Sequence, residues 1–364
     1  MNSNDGKNNL LNKSLDNIIH IYPSGGRELS SKNEIKIKNL EDEKLEEKES
    51  KTTYPQKWES YNLAQTKEKI LLMNILDELL NYIPFPEIKK VGRNPVPIRE
   101  KIFYLVMQSY NEKSSRRCIS DLELARRSDF IQKTPHFNTV LKCIKEPVLI
   151  DYLKHLISVS GIPLQRIETD FSVDSSGFST SNFGRWFDVR LGSNSDKRKF
   201  VKAHVTCGTR TNIISSVNIT KGNFADSPEF EGLVMKTKQI YDIREVSADK
   251  AYSSKHNLEV VQSIGAIPFI PFKSNAHPKG NNIWKRMYLF YTEHQEQFYE
   301  HYHKRSNSES TFHMIKRKFG DHLRSKTDVG QTNELLAKCL CHNLCVLIQE
   351  SFEIGIDLDF KLCA

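Results

Sequence analysis

The feature that most constrains the fold is a change from helical to strand patterning near residue 167. Upstream of it, apolar residues recur every three to four positions, as in residues 67–83, and this spacing predicts amphipathic helices. Downstream of it, β-branched and aromatic residues dominate residues 167–178, 186–192, 199–208 and 212–220. Three antiparallel strands are the natural interpretation of that stretch.

Strands and helices then alternate along the chain. The predicted segments are a helix at 227–241, a strand running into a loop at 243–252, a helix at 256–265 ending at Gly265, a short strand at 266–273, and long helical stretches at 284–320 and 332–352. Antiparallel strands followed by alternating elements predict an α/β fold, a mixed sheet with helices packed on its faces.

Composition divides the chain into four regions. Residues 1–53 are rich in Asn, Lys, Glu and Ser and have few aromatics, so we expect a disordered charged tail. Residues 54–160 are expected to form a helical DNA-binding region and residues 161–350 the catalytic domain with the sheet. A short C-terminal tail, 351–364, completes the division.

Within the helical region, residues 119–128, 129–135 and 136–147 follow a pattern of helix, turn and helix. Two interpretations stay open, a helix-turn-helix that binds DNA and plain helical packing. Arg126 and Arg127 on the first of these helices are the candidate DNA contacts.

Charge and composition exclude some classes of protein. No apolar run approaches the roughly 18 to 20 residues that a membrane span needs, and residues 1–13 lack the apolar core of a signal peptide. We therefore expect a soluble cytoplasmic protein. The seven cysteines form no evenly spaced framework, which favours free thiols. A net charge of +8 is compatible with a polyanionic partner such as DNA.

Two acidic residues stand where predicted strands run out. Asp174 is expected to close the first strand, and Asp249 follows the strand that begins at residue 243. Reactive groups collect at the ends of central strands, where loops diverge and form a crevice. By position alone Asp170 is an alternative to Asp174, although the Ser-Ser-Gly turn after Asp174 favours Asp174. Neighbouring carboxylates need a cation between them, and oxygen ligands select Mg²⁺ or Mn²⁺.

A third carboxylate lies on a predicted helix near the C-terminal end. At 100° per residue, Tyr302, Arg305, Glu309 and Lys316 fall at about 0°, 300°, 340° and 320°, on one face roughly 60° wide. An amphipathic helix normally keeps such a stripe apolar, and a charged face is more often merely solvated. Glu309 would complete a site for two metal ions about 3.5 to 4 Å apart, with Arg305 and Lys316 on DNA phosphates and Tyr302 on a base or a phosphate.

The spacing Y-x2-R-x3-E-x6-K of these residues resembles the signature of DDE transposases from a large group of prokaryotic insertion sequences. The segments VDSSGF around Asp174 and SADKAYSSK around Asp249, followed by GAIPFIPFK, resemble that family's other conserved blocks. The resemblance covers about residues 54 to 350 in motif order. It implies catalytic residues Asp174, Asp249 and Glu309, and DNA contacts through Tyr302, Arg305 and Lys316.

The resemblance also implies a fold, a cofactor and partners. The expected core is a ribonuclease H-like mixed sheet with flanking helices, and the expected cofactor is Mg²⁺ or Mn²⁺. The expected reaction joins terminal inverted repeats to target DNA, and two ends held together require a homodimer. The expected location is the nucleoid in the cytoplasm of a prokaryote.

Other polar side chains carry two interpretations each. The basic run at 316–326, including Arg317 and Lys318, is either a solvated face or a contact with the DNA backbone. His313 is either a DNA contact or a partly buried structural residue, and structural packing is favoured. Asp188 is expected at the surface. The group Cys339, Cys341, His342 and Cys345 fits a buried helix better than a zinc site.

Three functions remain open on the sequence alone. The first is a transposase that cleaves and joins DNA, the second a catalytically silent DNA-binding relative, and the third a metal-dependent nuclease that cleaves without joining. Intact carboxylates and an intact helical signature favour the first over the second. The sequence does not separate the first from the third.

Overall fold

A mixed β-sheet forms the centre of the molecule. The computed structural model describes residues 57–86, 94–180, 200–280 and 282–360. Within these residues five strands form one sheet in the order β3-β2-β1-β4-β5. The strands are β1 (Asp170–Ser179), β2 (Phe200–Gly208), β3 (Ile214–Lys221), β4 (Glu245–Ala248) and β5 (Ile267–Phe269).

The strand directions give this sheet its class. β2 is antiparallel to both β1 and β3, whereas β4 is parallel to β1 and β5 is parallel to β4. A β-bulge between Thr206 and Cys207 interrupts the register of β2 with β3. The mixed sheet with flanking helices, expected as a ribonuclease H-like core, is confirmed.

Helices precede the sheet, connect its strands and follow it. They are α1 (Trp58–Tyr82), α2 (Ile98–Tyr110), α3 (Ser115–Arg127), α4 (Phe137–Cys143), α5 (Leu149–Ser160), α6 (Phe230–Lys238), α7 (Lys255–Ser263), α8 (Ile283–Glu293), α9 (Gln295–Tyr302), α10 (Ser306–Phe319) and α11 (Asp328–Glu353). Gly265 follows α7 with φ +85°, the left-handed conformation expected of a glycine after a helix. None of the helices in the described part of the chain is long and apolar enough to cross a membrane.

The long α11 is the central helix of the hydrophobic core. It packs against α2, α5 and β3, and most of its residues from 333 to 348 are buried on all sides. Asn343, in the middle of α11, is fully buried and links this helix to α5 and β3 by hydrogen bonds. Its side chain accepts from the Ile214 backbone N at 2.9 Å and donates to Ile214 O, Ile157 O and Ser160 Oγ.

The helical region and the sheet share this core. Buried residues of α1 to α5 and of β2, β3, α10 and α11 belong to one contiguous apolar cluster. The chain divides into two units, Met1–Trp58 and Glu59–Ala364, and apart from Trp58 every helix and strand described lies in the second. The boundary between the predicted DNA-binding region, which ends at residue 160, and the predicted catalytic domain, which begins at residue 161, therefore stays a prediction.

Two predicted segments fall outside the described residues. They are the tail at residues 1–53 and the strand at 186–192 with Asp188. Of the C-terminal tail predicted at 351–364, α11 extends to Glu353 and the described chain ends at residue 360.

Residues 284–320 are largely helical, as predicted, but the expectation that Tyr302 and Lys316 share one helix is wrong. The segment breaks into α8, α9, a 3₁₀ turn at His303–Arg305, and α10. The side chain of Lys304 in this turn donates to carboxylates at the starts of β1 and β4, at 2.8 Å each. These tertiary contacts stabilise a break that helical periodicity alone does not show.

Candidate active site

The sheet brings Asp174 and Asp249 side by side. β1 and β4 are parallel neighbours whose last paired residues are Val173 and Ala248, so Asp174 and Asp249 are the next residues in register. Adjacent strands lie about 4.8 Å apart. Both carboxylates line one cavity of 1220 Å³.

The prediction that Asp174 closes its strand is wrong in detail. β1 continues to Ser179 because its antiparallel pairing with β2 extends that far. The parallel partner β4 ends at Ala248, and the sheet therefore opens beside Asp174 on one side only. This opening creates the crevice that the sequence led us to expect at a strand end.

Asp174 lies in a largely buried, hydrogen-bonded position. Its Oδ1 accepts from the Ser175 backbone N at 2.8 Å, and its Oδ2 accepts from Ser308 Oγ at 3.0 Å. Burial raises the pKa of the Asp174 carboxyl; nearby Arg305 opposes the rise and the charge of Asp249 adds to it. A buried carboxylate next to a second carboxylate is an environment that a cation stabilises.

Asp249 combines a structural contact with a place at the cavity. Its Oδ1 accepts from the Lys250 backbone N at 2.6 Å and caps the 3₁₀ turn Lys250–Tyr252. Because the residue also lines the cavity, this capping contact is compatible with a role as a metal ligand.

Arg305 connects the third carboxylate to the first. Its Nη1 and Nη2 donate to Glu309 Oε1 at 2.6 and 2.9 Å, and its Nη2 lies 3.9 Å from Asp174 Oδ2. Since one nitrogen reaches both acids, Asp174 Oδ2 and Glu309 Oε1 lie less than about 7 Å apart, a gap that two metal ions about 4 Å apart can span. Arg305 Nε is buried and has no hydrogen-bond partner among the described residues.

Tyr302 and Arg305 do not share one continuous helix with Glu309 and Lys316. Tyr302 ends α9, Arg305 belongs to the 3₁₀ turn, and the other two residues lie on α10. Arg305, Glu309 and Lys316 nevertheless line the same cavity. Tyr302 stacks on Phe298 with ring centroids 6.3 Å apart.

Tyr302, unlike the other three, does not line this cavity. Burial raises the pKa of Tyr302, Arg305 opposes the rise, and the charges of Asp249 and Asp174 add to it.

Lys316 is held against β1. Its Nζ donates to Ser176 Oγ at 2.7 Å and lies 5.1 Å from the centre of the Phe178 ring. Burial lowers the pKa of this ammonium group. No acidic side chain forms an ion pair with Lys316 in the described part of the chain, so its charge is available to an anion in the cavity.

Asp170, the alternative to Asp174, has other partners. Lys304 Nζ donates to its Oδ2 at 2.8 Å, and Arg244 Nη2 lies 3.2 Å from its Oδ1. It does not line the cavity. This arrangement favours Asp174 as the ligand.

The remaining predicted DNA contacts differ in their surroundings. Arg126 and Arg127 are exposed on α3, and both form ion pairs with Glu123. Lys318 forms an ion pair with Glu68 of α1, while Arg317 is exposed and forms no ion pair within the described ranges.

The other polar groups singled out from the sequence lie as follows. Cys339, Cys341 and His342 are buried in α11, where His342 Nε2 donates to Asn212 O at 2.9 Å and burial lowers the pKa of His342 to about 4. Core packing thus describes them, as expected. His313, for which we favoured partial burial, is exposed and lines the cavity.

The sequence did not reveal a polar group on the other side of β1. Asp226 Oδ1 accepts from Ser175 Oγ and Lys202 Nζ, each at 2.9 Å, and His204 Nδ1 lies 3.5 Å away. Asp226 and Lys202 line the cavity. In the sequence, Asp226 precedes Ser-Pro-Glu and resembles an ordinary helix cap. The alternation of residues in β2 gives no sign that Lys202 is buried. Neither residue could therefore be recognised as part of a site from the sequence.

The site fits a divalent cation in its chemistry, although its ligands are not preassembled. Its three carboxylates offer the oxygen ligands that Mg²⁺ and Mn²⁺ prefer. Among the described residues no group of three or more His, Cys, Asp or Glu is arranged to hold a metal ion. In the structure Glu309 is bound by Arg305.

Part of the chain matches a known protein family. Residues 166–344 match the family described as "Transposase DDE domain", a span that includes all three acids. The match supports a DDE transposase, as the resemblance of the motifs led us to expect. Proteins of this class cleave and transfer DNA. A cryo-EM structure of the piggyBac transposase synaptic complex with hairpin DNA shares 10% sequence identity and a TM-score of 0.37, over 83% of this chain and 77% of that one.

Proposed function

We propose that this chain is the transposase of a prokaryotic insertion sequence. It binds terminal inverted repeats, cleaves the phosphodiester at each end and transfers the freed 3′-hydroxyl to target DNA. The observation that carries the proposal is the pairing of Asp174 and Asp249 at the opening between β1 and β4, with Arg305 joining Asp174 to Glu309.

The three acids hold the metal ions in this proposal. Asp174, Asp249 and Glu309 would bind Mg²⁺ or Mn²⁺, which when bound activates the attacking oxygen and stabilises the leaving one. Asp174 is oriented for this role by Ser175 N and Ser308 Oγ. Glu309 is 64% exposed and sits on the first turn of α10, so its side chain can turn toward Asp174 and Asp249 when Arg305 binds another anion.

The cations of the site position DNA. Arg305 presents a fork of donors, including the unpartnered Nε, that suits a phosphate beside the acids. Lys316 adds a charge on the side of Ser176. Tyr302, at the end of α9, is the third proposed DNA contact. These contacts hold the scissile phosphate without a protein nucleophile.

The helical region 54–160 and the basic run after Lys316 supply the wider DNA surface. Arg126, Arg127, Arg317 and Lys318 are the proposed backbone contacts. Two copies of the chain would hold two DNA ends, so the working form is a homodimer associated with the nucleoid in the cytoplasm.

The test uses three neutral variants, Asp174→Asn, Asp249→Asn and Glu309→Gln. Each should lower cleavage of end-bearing DNA in Mg²⁺ or Mn²⁺ more than about 100-fold, because each removes a ligand charge. DNA affinity measured without divalent ions should change little. The matched control is Asp242→Asn, which removes a carboxylate that is 94% exposed, far more than any of the three.

Three outcomes decide between functions. Cleaved and joined products from the wild-type protein, lost in the three variants, support a transposase. Cleaved products without joining would indicate a nuclease, and DNA binding without cleavage would indicate a silent relative. Direct Mn²⁺ titration, followed by electron paramagnetic resonance, should show weaker binding in each variant and separates ligands from residues that act only on DNA.

A further inference from the structure

A second cavity lies beside the segment that follows Asp249. It has a volume of 520 Å³ and is lined in part by Ser253 and Lys255, just beyond the 3₁₀ turn Lys250–Tyr252. The opposite wall comes from the loop between β5 and α8 and from the first residues of α8. This second cavity shares no lining residue with the candidate active site.

The charge of the second cavity is positive. Lys255, Lys273 and Lys279 line it together with His277, and no described lining residue is acidic. Lys255 lies 3.5 Å from Glu259, whereas Lys273 and Lys279 form no ion pair with the described residues. The first cavity, by contrast, contains several carboxylates. An anion is therefore favoured in the second cavity.

Two helices begin at its wall. α7 starts at Lys255 after Ser254, whose Oγ accepts from Asn257 N at 3.1 Å, and α8 starts after Asn282. Lining residues come from both starts, Ser253 and Lys255 at one and Asn282 and Trp284 at the other. The first amide groups of a helix carry partial positive charge and bind phosphate oxygens.

A buried hydroxyl in the wall lacks a partner. Ser253 is 8% exposed, and its Oγ makes no hydrogen bond to any described residue. An unsatisfied buried hydroxyl costs free energy that a ligand oxygen would recover. The loop opposite is held in place, because Trp284 Nε1 donates to His277 O at 2.9 Å and the Trp284 ring packs edge-on against Phe272 at 4.7 Å.

We propose that the second cavity binds a phosphate of the DNA backbone, a few nucleotides from the phosphate held at Asp174 and Asp249. The inference rests on the proposed function for the identity of its ligand. The 3₁₀ turn Lys250–Tyr252 connects Asp249 directly to Ser253, so one strand can pass from the first cavity to the second. A polymer of phosphates occupies both, which an isolated small anion cannot do.

The test is the salt dependence of DNA binding by Lys273→Gln/Lys279→Gln. Binding of a 30-base-pair duplex is measured by fluorescence anisotropy in EDTA, over a series of salt concentrations. Each phosphate contact contributes about 0.9 to the slope of log K against log salt, so the double variant should lose about one to two units of slope and about tenfold in affinity. The matched control, Lys236→Gln/Lys238→Gln, removes the same charge from α6 outside both cavities.

Ser253→Ala tests the site without a change of charge. It removes a hydroxyl that has no partner in the free protein, so the melting temperature should stay the same or rise. DNA affinity should fall severalfold. A fold defect would instead lower the melting temperature and the affinity together, and that result would contradict the proposal.

Other results would also overturn it. Equal slopes for the wild type and the lysine double variant would exclude a phosphate contact here, as would an equal loss in the α6 control. If the lysine double variant lost binding of inorganic phosphate but kept its DNA affinity, the ligand would be a small anion and the proposal would be wrong. Every assay is done in EDTA and so measures binding without cleavage. If the wild-type protein cleaved no DNA, the proposed function would fail, while the proposal of a phosphate site in the second cavity would still stand.

Discussion

Asp170 and Glu245 lie opposite each other at the starts of the parallel strands β1 and β4. Lys304 Nζ bridges them, 2.8 Å from Asp170 Oδ2 and 2.8 Å from Glu245 Oε2, and His301 Nδ1 contacts the Glu245 carboxylate at 3.0 Å. Lys304 directly precedes Arg305. The bridge therefore anchors the turn from which Arg305 reaches into the candidate active site.

Lys304→Met should slow DNA cleavage by about 10- to 100-fold while DNA affinity stays within about twofold, as for a group that orients a ligand without touching it. The variant leaves two adjacent carboxylates without their shared cation, which displaces the turn. Single-turnover cleavage kinetics and anisotropy measure the two quantities. Lys304→Arg should keep most of the rate, and adding Glu245→Gln to Lys304→Met should restore part of it. Wild-type cleavage by Lys304→Met would refute the positioning role.

Arg317 and Lys318 should respond differently to substitution. Lys318 pairs with Glu68, which is largely buried and also accepts from Tyr110 Oη at 2.8 Å. Lys318→Met should destabilise the fold by about 1 to 3 kcal/mol, because it leaves the largely buried Glu68 carboxylate without its cation. Arg317→Gln should leave stability within about 0.5 kcal/mol and weaken DNA binding. Urea denaturation and anisotropy measure the two quantities. Unchanged stability in Lys318→Met would show that its ion pair with Glu68 contributes little to the fold, and unchanged DNA affinity in Arg317→Gln would remove Arg317 from the proposed contacts.

Asn343→Leu should lower the free energy of unfolding by about 2 to 4 kcal/mol. The side chain keeps its size but loses every hydrogen bond to Ile214, Ile157 and Ser160. Urea denaturation measures the change. Asn62→Leu on the exposed face of α1 is the control and should shift stability by less than about 0.5 kcal/mol. A single cooperative transition in both proteins would agree with one shared core, whereas two transitions would indicate separately folding regions.

Much of the sheet could be predicted because its strands follow simple rules. Alternation and β-branched residues marked β1 to β3, and Gly265 marked the end of α7. α5 was missed although Leu149, Leu153 and Leu156 show helical spacing, because a run of mixed polarity before a strand gives no clear start signal. Its position depends on α11, a contact from the other end of the chain.

The meeting of Asp174, Asp249 and Glu309 at one cavity was predictable, and their detailed geometry was less so. Spacing on an ideal helix placed Glu309 beside Arg305, which the ion pair bears out, but it made one helix of a segment that turns at His303–Arg305. That turn depends on Lys304 reaching β1 and β4. Periodicity within one segment carries no information about such partners, nor about the contacts of Asp226 and Lys202.

Glu350 should make stability depend on pH in an unusual direction. Burial and the nearby charge of Glu353 raise the pKa of Glu350 to about 7, above its value in the unfolded chain. The native state then binds more protons, so stability falls as pH rises from about 4.5 to about 7. Glu350→Gln should remove this loss of stability. The difference in free energy of unfolding between Glu350→Gln and the wild type should be about 1 to 2 kcal/mol larger at pH 8 than at pH 5, after allowance for solvent screening.

Urea denaturation of both proteins at the two pH values tests this expectation. Glu296→Gln, an exposed change on α9, is the control and should show no such difference. A constant gap between wild type and Glu350→Gln across the range would show that Glu350 titrates normally.

In the protein without a metal ion, the guanidinium of Arg305 serves as the counter-ion of the Glu309 carboxylate. If Glu309 binds a divalent ion as proposed, loading that ion becomes an exchange, since the Arg305 charge must leave the acid as the metal charge arrives. A DNA phosphate is the natural destination for the displaced guanidinium. Under that proposal the arrival of DNA and the completion of the metal centre are linked, and the protein without DNA would bind metal weakly.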